Sequence, residues 1–264
     1  MGRIVFLMFV GFACSVDTIF AHPHAGVDTI IQLGGHEVYL AFPSTPSDMY
    51  PVLLALHGSG REARSYRPND PKGNAFYIHQ RNLALQNGYL FVAVSNGQDT
   101  WGTNEGLYTV LAVYDHVRAQ YGVTEKWALW ASSAGGVLMY RLIREYPDRV
   151  DRALGTFPVS DLEDAFERLE SARRSWKTET AFIGINPVDT PEAFAHVPIL
   201  LFHGTADEAV PIAKHSERLM REVKPWGGDV TLYKAPGGHD TANMALYPDR
   251  LIDGFLQRSI NSKL

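Results

Sequence analysis

The stretch Trp127-Ala128-Leu129-Trp130-Ala131-Ser132-Ser133-Ala134-Gly135-Gly136 joins an apolar run to a run of small residues. Small-x-Ser-small-Gly at the end of a strand is the shape of a sharp strand-to-helix turn that lifts a serine hydroxyl out of the sheet. Such a turn tolerates only small neighbours, because strand end, serine and helix start crowd together. Ala131 stands where the first glycine of the pattern usually falls, and Gly135 keeps the last one. Spacing selects Ser133 over Ser132, since only Ser133 has a small residue two before it and glycine two after it. Ser133 is therefore the candidate nucleophile.

A serine hydroxyl is a weak nucleophile at neutral pH and needs a base within hydrogen-bond reach. Two later segments supply the partners. Leu200-Leu201-Phe202-His203-Gly204-Thr205-Ala206-Asp207 is an apolar run ending at a glycine turn, with an acid three residues beyond that glycine. Ala235-Pro236-Gly237-Gly238-His239-Asp240 is a glycine-rich loop carrying a histidine after the strand-like Val230-Thr231-Leu232-Tyr233. His239 is placed to take the serine proton and return it to the leaving group. Asp207 is placed to hold the imidazole tautomer and stabilise the imidazolium. Asp207 also reads as the N-terminal signal of a helix starting near Pro211, and both roles can hold at once. Glu208 and Asp240 are the rival acids. Asp207 ranks well above both, since adjacent residues do not easily place a carboxylate on their own neighbour's Nδ1.

The order serine, acid, histidine belongs to the α/β-hydrolase fold. On the elbow at Ser133, the acid loop, the histidine loop and the turn His57-Gly58-Ser59-Gly60, the chain resembles the α/β-hydrolase superfamily. The nearest branches are the small esterases, the dienelactone-hydrolase-like and the prolyl-oligopeptidase-like proteins. The resemblance runs from about Tyr50 to the C-terminus. It implies a serine hydrolase cleaving carboxylic esters through an acyl-enzyme. The alternatives are a serine peptidase of the prolyl-oligopeptidase-like type and a binding member of the fold that lacks catalysis. It also implies an oxyanion hole built from the backbone N–H of Ala134 and a second N–H from the His-Gly turn, Ser59 first and Gly60 next. His57 and His203 each precede glycine at a strand end and read as packing residues. Trp101 and Tyr66, which follow strand ends on the same edge, are the candidate substrate-binding aromatics.

The rest of the chain fits that reading. Val52–Leu56 and Leu90–Val94 are continuous apolar runs, as expected for strands buried on both faces. Thr29–Leu33 and Glu37–Phe42 flank Gly34-Gly35, the pattern of an antiparallel hairpin. Leu107, Val110, Leu111, Tyr114 and Val117 predict an amphipathic helix over 106–120. Val137–Tyr146 predicts the helix behind the elbow, and Leu251, Ile252, Phe255 and Leu256 a closing helix. Alternating strands and helices from residue 50 onward predict a mainly parallel sheet with helices on both faces. Residues 158–197 are longer than a crossover needs and predict a small helical cap-like insertion.

Composition narrows the partners. The chain has 264 residues and a net charge of −5. It has no Lys/Arg-rich run, which argues against nucleic acid or an anionic membrane as partner of the mature form. No histidine-carboxylate cluster has metal spacing, so neither metal nor cofactor is expected. One positive charge followed by the apolar run Ile4–Ala13 predicts a signal peptide over 1–21, leaving 22–264 as a single domain in a secreted or cell-envelope protein. Cys14, the one cysteine, lies in that segment, so its removal leaves no thiol nucleophile. The expected substrate is a small-molecule or polysaccharide-linked ester. The sequence carries no signal for an oligomeric state.

Overall fold

The computed structural model describes residues 26–241 and 247–258. The signal segment and Cys14 lie outside them. An eight-stranded sheet runs in the order β1-β2-β4-β3-β5-β6-β7-β8. β1 (Asp28–Leu33) and β2 (His36–Ala41) form the hairpin expected around Gly34-Gly35. β2 pairs antiparallel with β4 (Leu90–Val94). From there every pairing is parallel, through β3 (Val52–Leu56), β5 (Trp127–Ser132), β6 (Val150–Thr156), β7 (Ile199–Gly204) and β8 (Val230–Ala235). The chain thus has the α/β fold that its strand and helix alternation predicts.

Period two along the strands sends alternate side chains into two cores. Leu54, Leu56, Val92, Val94 and Leu129 pack with α2 (Asn104–Gln120), α3 (Gly135–Glu145) and α6 (Ser216–Val223). Leu53, Ala55, Phe91, Ala93 and Trp130 pack on the other face with α1 (Ala75–Gln86) and α7 (Asp249–Gln257). β3, β4 and β5 are buried along their whole length, so their runs are apolar without alternation. Thr103 caps α2 by accepting from Gly106 N–H, and Asn74 caps α1 by accepting from Phe76 N–H.

Between β6 and β7 the chain folds into α4 (Leu162–Arg168), α5 (Glu170–Trp176) and three short 3-10 turns. Their apolar residues form a third, smaller cluster. Leu162, Ala165, Ala172, Trp176 and Phe182 close over Trp101, Val137 and Val159. Two devices pin this segment to neighbouring loops. The Trp176 indole N–H donates to the Trp101 carbonyl at 3.1 Å. The buried His215 accepts at Nδ1 from the N–H groups of Ser160 and Asp161, both at 3.1 Å, and faces Asp164 through Nε2 at 3.3 Å. Two N–H donors on Nδ1 leave the ring proton on Nε2.

Candidate active site

The parallel strands end on one edge of the sheet, where open α/β folds place their ligands. β5 reaches that edge and turns into α3 through Ser133. Its φ of 52° puts a residue other than glycine in the left-handed region, which costs roughly 1–2 kcal/mol. The turn is held on both sides of the peptide. Ser133 N–H donates to the Thr156 carbonyl at 3.1 Å, and its own carbonyl accepts from Gly136 and Val159 N–H, both at 2.9 Å. Gly135 is obligatory, since a Cβ there would lie 2.3 Å from the Leu56 carbonyl oxygen. Ser132 points the other way. Its hydroxyl is 2.7 Å from Thr156 Oγ1 and accepts from Gln80 Nε2 at 3.1 Å, inside the core. One serine braces the sheet and the next leaves it.

The three candidate residues meet in space although 106 positions separate Ser133 from His239. His239 Nε2 stands 2.9 Å from Ser133 Oγ, and Nδ1 stands 2.8 Å from Asp207 Oδ2. A carboxylate accepts only, so Nδ1 carries the proton and Nε2 presents a lone pair to the serine hydroxyl. The edge of the Phe157 ring packs on the imidazole, with centroids 4.6 Å apart. Such a chain can draw the proton from the hydroxyl as its oxygen attacks an electrophile.

Asp207 is buried and fully committed. Its Oδ1 accepts from Val210 N–H at 2.8 Å, and its Oδ2 faces both His239 and, at 3.3 Å, His203 Nε2. Burial by itself would raise the carboxyl pKa. The hydrogen bonds to His203 and His239, the His239 charge and the Val210 N–H outweigh it and hold the group well below the usual carboxylate range. Asp207 therefore closes a turn onto Val210. It does not cap a helix at Pro211, because α6 begins at Ser216 after the buried His215. His203 is a packing residue, as its sequence position suggests. It is sealed in the core, with Nε2 on the Val210 carbonyl at 2.8 Å and Nδ1 on Ser216 Oγ at 2.7 Å.

The turn after β3 faces Ser133. His57 is buried and anchors it, with Nδ1 on the Gly58 carbonyl at 2.8 Å and Nε2 accepting from Asn96 N–H at 3.2 Å. Burial pushes its pKa down to about 4, so it stays neutral and serves as a brace. Gly58 is wedged against the site. A Cβ there would sit 3.0 Å from the Tyr77 hydroxyl and 3.2 Å from Ser133 Cβ. Gly58 N–H donates to that hydroxyl at 3.2 Å. Among the described residues, no acceptor lies on the N–H of Ser59, Gly60 or Ala134. Buried N–H groups without a partner are rare, and Ala134 is fully buried.

A cavity of about 220 Å³ opens over Ser133 and His239. Gly58, Ser59, Tyr77, Ser133, Phe157 and His239 line it, together with Arg61, Asp240 and Thr241. Two expectations are corrected here. Trp101 is 1 % exposed and belongs to the cluster beneath α4 and α5, not to the cavity wall. Tyr66 is fully buried, its ring 4.9 Å from Tyr77 and 5.2 Å from Phe91. Tyr77 lies on the cavity in its place. Among the described residues no cluster of His, Cys, Asp and Glu could hold a metal ion, and no helix is long and apolar enough to cross a membrane.

A model of the prolyl oligopeptidase family matches residues 94–262. No protein of curated function matches the chain. Solved structures match its fold closely at low identity. An acylaminoacyl peptidase from Pyrococcus horikoshii superposes with a TM-score of 0.70 at 14 % identity, over 93 % of this chain and 43 % of that one. An S-formylglutathione hydrolase from Agrobacterium tumefaciens gives 0.70 at 12 %, over 88 % and 94 %. Est1E from Butyrivibrio proteoclasticus gives 0.65 at 16 %, over 87 % and 97 %. The chain thus spans less than half of the peptidase and nearly all of the other two.

Proposed function

Taking as premise that the chain belongs to the prolyl oligopeptidase family and is a serine hydrolase of the α/β-hydrolase type, we propose that it cleaves carboxylic esters through an acyl-enzyme on Ser133. The observation that carries this reading is the continuous relay from Asp207 through His239 to Ser133 Oγ, at 2.8 and 2.9 Å. Ser133 Oγ attacks the ester carbonyl while His239 Nε2 takes its proton. The tetrahedral oxyanion is held by the N–H groups of Ala134 and of Ser59, with Gly60 behind it. One such donor is worth about 3 kcal/mol. Collapse expels the alcohol, which receives the proton from His239, and leaves an acyl-serine. Water, deprotonated by His239, repeats the cycle and frees the acid.

One feature supports an ester over a long peptide: the cavity over Ser133 is small, about 220 Å³. The family match favours a second reading, amide cleavage by the same relay, and the test separates the two.

The experiment compares wild type with Ser133→Ala on p-nitrophenyl esters from acetate to palmitate, beside short aminoacyl p-nitroanilides and a fluorophosphonate label. Ester turnover and labelling in wild type, both lost in a folded Ser133→Ala, are the expected result. Turnover of the anilides alone would assign the peptidase reading. Absence of labelling would reject an activated serine altogether.

A further inference from the structure

The wall of the catalytic cavity carries a cation that the relay does not use. Arg61 follows the oxyanion turn, where its N–H closes that turn onto the Gly58 carbonyl at 3.2 Å, and it lines the cavity beside Ser59, Ser133 and His239. Its side chain is exposed. Among the described residues no carboxylate lies within ion-pair distance of its guanidinium. The other arginines of this loop are all neutralised. Arg64 pairs with Glu37 and Asp70 at 2.8 and 3.2 Å, and Arg67 pairs with Asp28 at 3.2 Å. Asp240 shares the cavity wall, but it is already engaged within the chain. Among the described residues Arg61 has no such carboxylate partner.

We propose that Arg61 is a specificity-determining residue that reads a carboxylate on the ester substrate, so that the natural substrates are anionic esters. The proposal rests on the esterase reading. A guanidinium offers a planar fork of N–H donors that matches a carboxylate in two parallel hydrogen bonds. Arg61 lines the same cavity as Ser133 and Ser59, so a substrate held there shares that cavity with the guanidinium. A short acyl or alcohol chain ending in a carboxylate then spans the gap. Charge also acts at a distance, because an unpaired cation at a concave site attracts oppositely charged substrates before contact. An exposed pair on a protein surface is worth little. A substrate filling a cavity of this size excludes water from the pair and raises its weight.

The test uses two ester pairs, each a carboxylate against its methyl ester. 4-Nitrophenyl hydrogen glutarate against its methyl ester places the carboxylate on the acyl side. 4-Acetoxybenzoate against its methyl ester places it on the leaving group. The readout is the ratio of kcat/KM, charged over neutral, within each variant. In wild type one of the two ratios is expected to exceed one by about tenfold, carried by KM, as for a charge-assisted hydrogen bond. Arg61→Gln should bring that ratio to about one, and Arg61→Lys should keep part of it. Raising ionic strength from about 0.01 M to about 1 M, which shrinks the Debye length from about 30 to about 3 Å, should lower the wild-type ratio and leave that of Arg61→Gln unchanged. A purely structural arginine would move neither ratio nor salt dependence. Ratios at or below one in wild type, or ratios unchanged in Arg61→Gln, overturn the proposal while leaving the esterase reading intact. No turnover of any of the four esters overturns the esterase reading and the proposal with it.

Discussion

Replacing Asp207 by asparagine changes one atom and should separate orientation of the base from folding. The carboxylate makes three contacts, with Val210 N–H, His239 Nδ1 and His203 Nε2. An asparagine keeps its Oδ1 for Val210 N–H and sets an NH2 group where Oδ2 stood. His203 keeps its Nε2 proton on the Val210 carbonyl at 2.8 Å and gives up only its longer contact with the carboxylate, at 3.3 Å. His239 loses its tautomer. An amide donor facing Nδ1 makes that nitrogen the acceptor and moves the proton to Nε2. Nε2 then points a proton at Ser133 Oγ and has no lone pair to receive another. The expected loss in kcat is about 10⁴-fold, or about 5.5 kcal/mol at 1.36 kcal/mol per decade. The folding cost is expected to be only about 1–3 kcal/mol, the weight of a charge-assisted hydrogen bond. The assay is kcat/KM on the best p-nitrophenyl ester, with urea unfolding of the same samples. Glu208→Gln, at the exposed neighbouring acid, is the control and should stay within about twofold, as expected for a surface change. A folded Asp207→Asn that keeps more than a tenth of wild-type kcat/KM would refute the assignment of Asp207 as the residue that orients His239.

Gly135→Ala places a Cβ 2.3 Å from the Leu56 carbonyl oxygen and 2.8 Å from that of His57. The turns of β3 and β5 must then separate, at an expected cost of about 3 kcal/mol in urea unfolding; an unchanged midpoint would show that the elbow has slack. Asp164 is held down to about 2 by its hydrogen bond to His215, against the opposing effect of burial and with help from Arg168. A carboxyl depressed in the folded state stabilises the protein above its unfolded pKa of about 3.9. That contribution is lost as pH falls through the folded value. Asp164→Asn should therefore be less stable than wild type at neutral pH, and the gap should narrow between about pH 4 and about pH 2, read by thermal unfolding across pH. A gap that does not depend on pH would remove Asp164 from the acid response.

The sheet and the relay were legible because both are written in local chemistry. A strand buried on both faces has to be apolar at every position, and β3, β4 and β5 are. A strand-to-helix turn with a serine at φ 52° has to have small neighbours, and Ala131, Ala134, Gly135 and Gly136 supply them. α1 gave no comparable signal. Its buried face mixes Phe76, Tyr77, Leu83 and Ala84 with Gln80, whose amide reaches across to Ser132 and Thr156 in the core. A polar residue on the inward face erases the apolar stripe on which helix recognition depends. The missing stripe also hid Tyr77, the α1 residue that lines the cavity.

Trp101 and Tyr66 were misread for a common reason. Position in the chain fixes the level of a residue relative to the sheet edge, and both residues are at the right level. It does not fix the direction of the side chain. That is decided by which apolar surface is nearby, and α4 and α5 supply one for Trp101 while Phe91 and Tyr77 supply one for Tyr66. A large aromatic ring gains on the order of 2–3 kcal/mol by leaving water, so where a second layer exists it turns inward. Polar groups obey the opposite rule. They can be drawn away by a partner inside the protein, as Asp28 does for Arg67 and Glu37 and Asp70 do for Arg64. Arg61, which has no such carboxylate among the described residues, stays on the cavity wall.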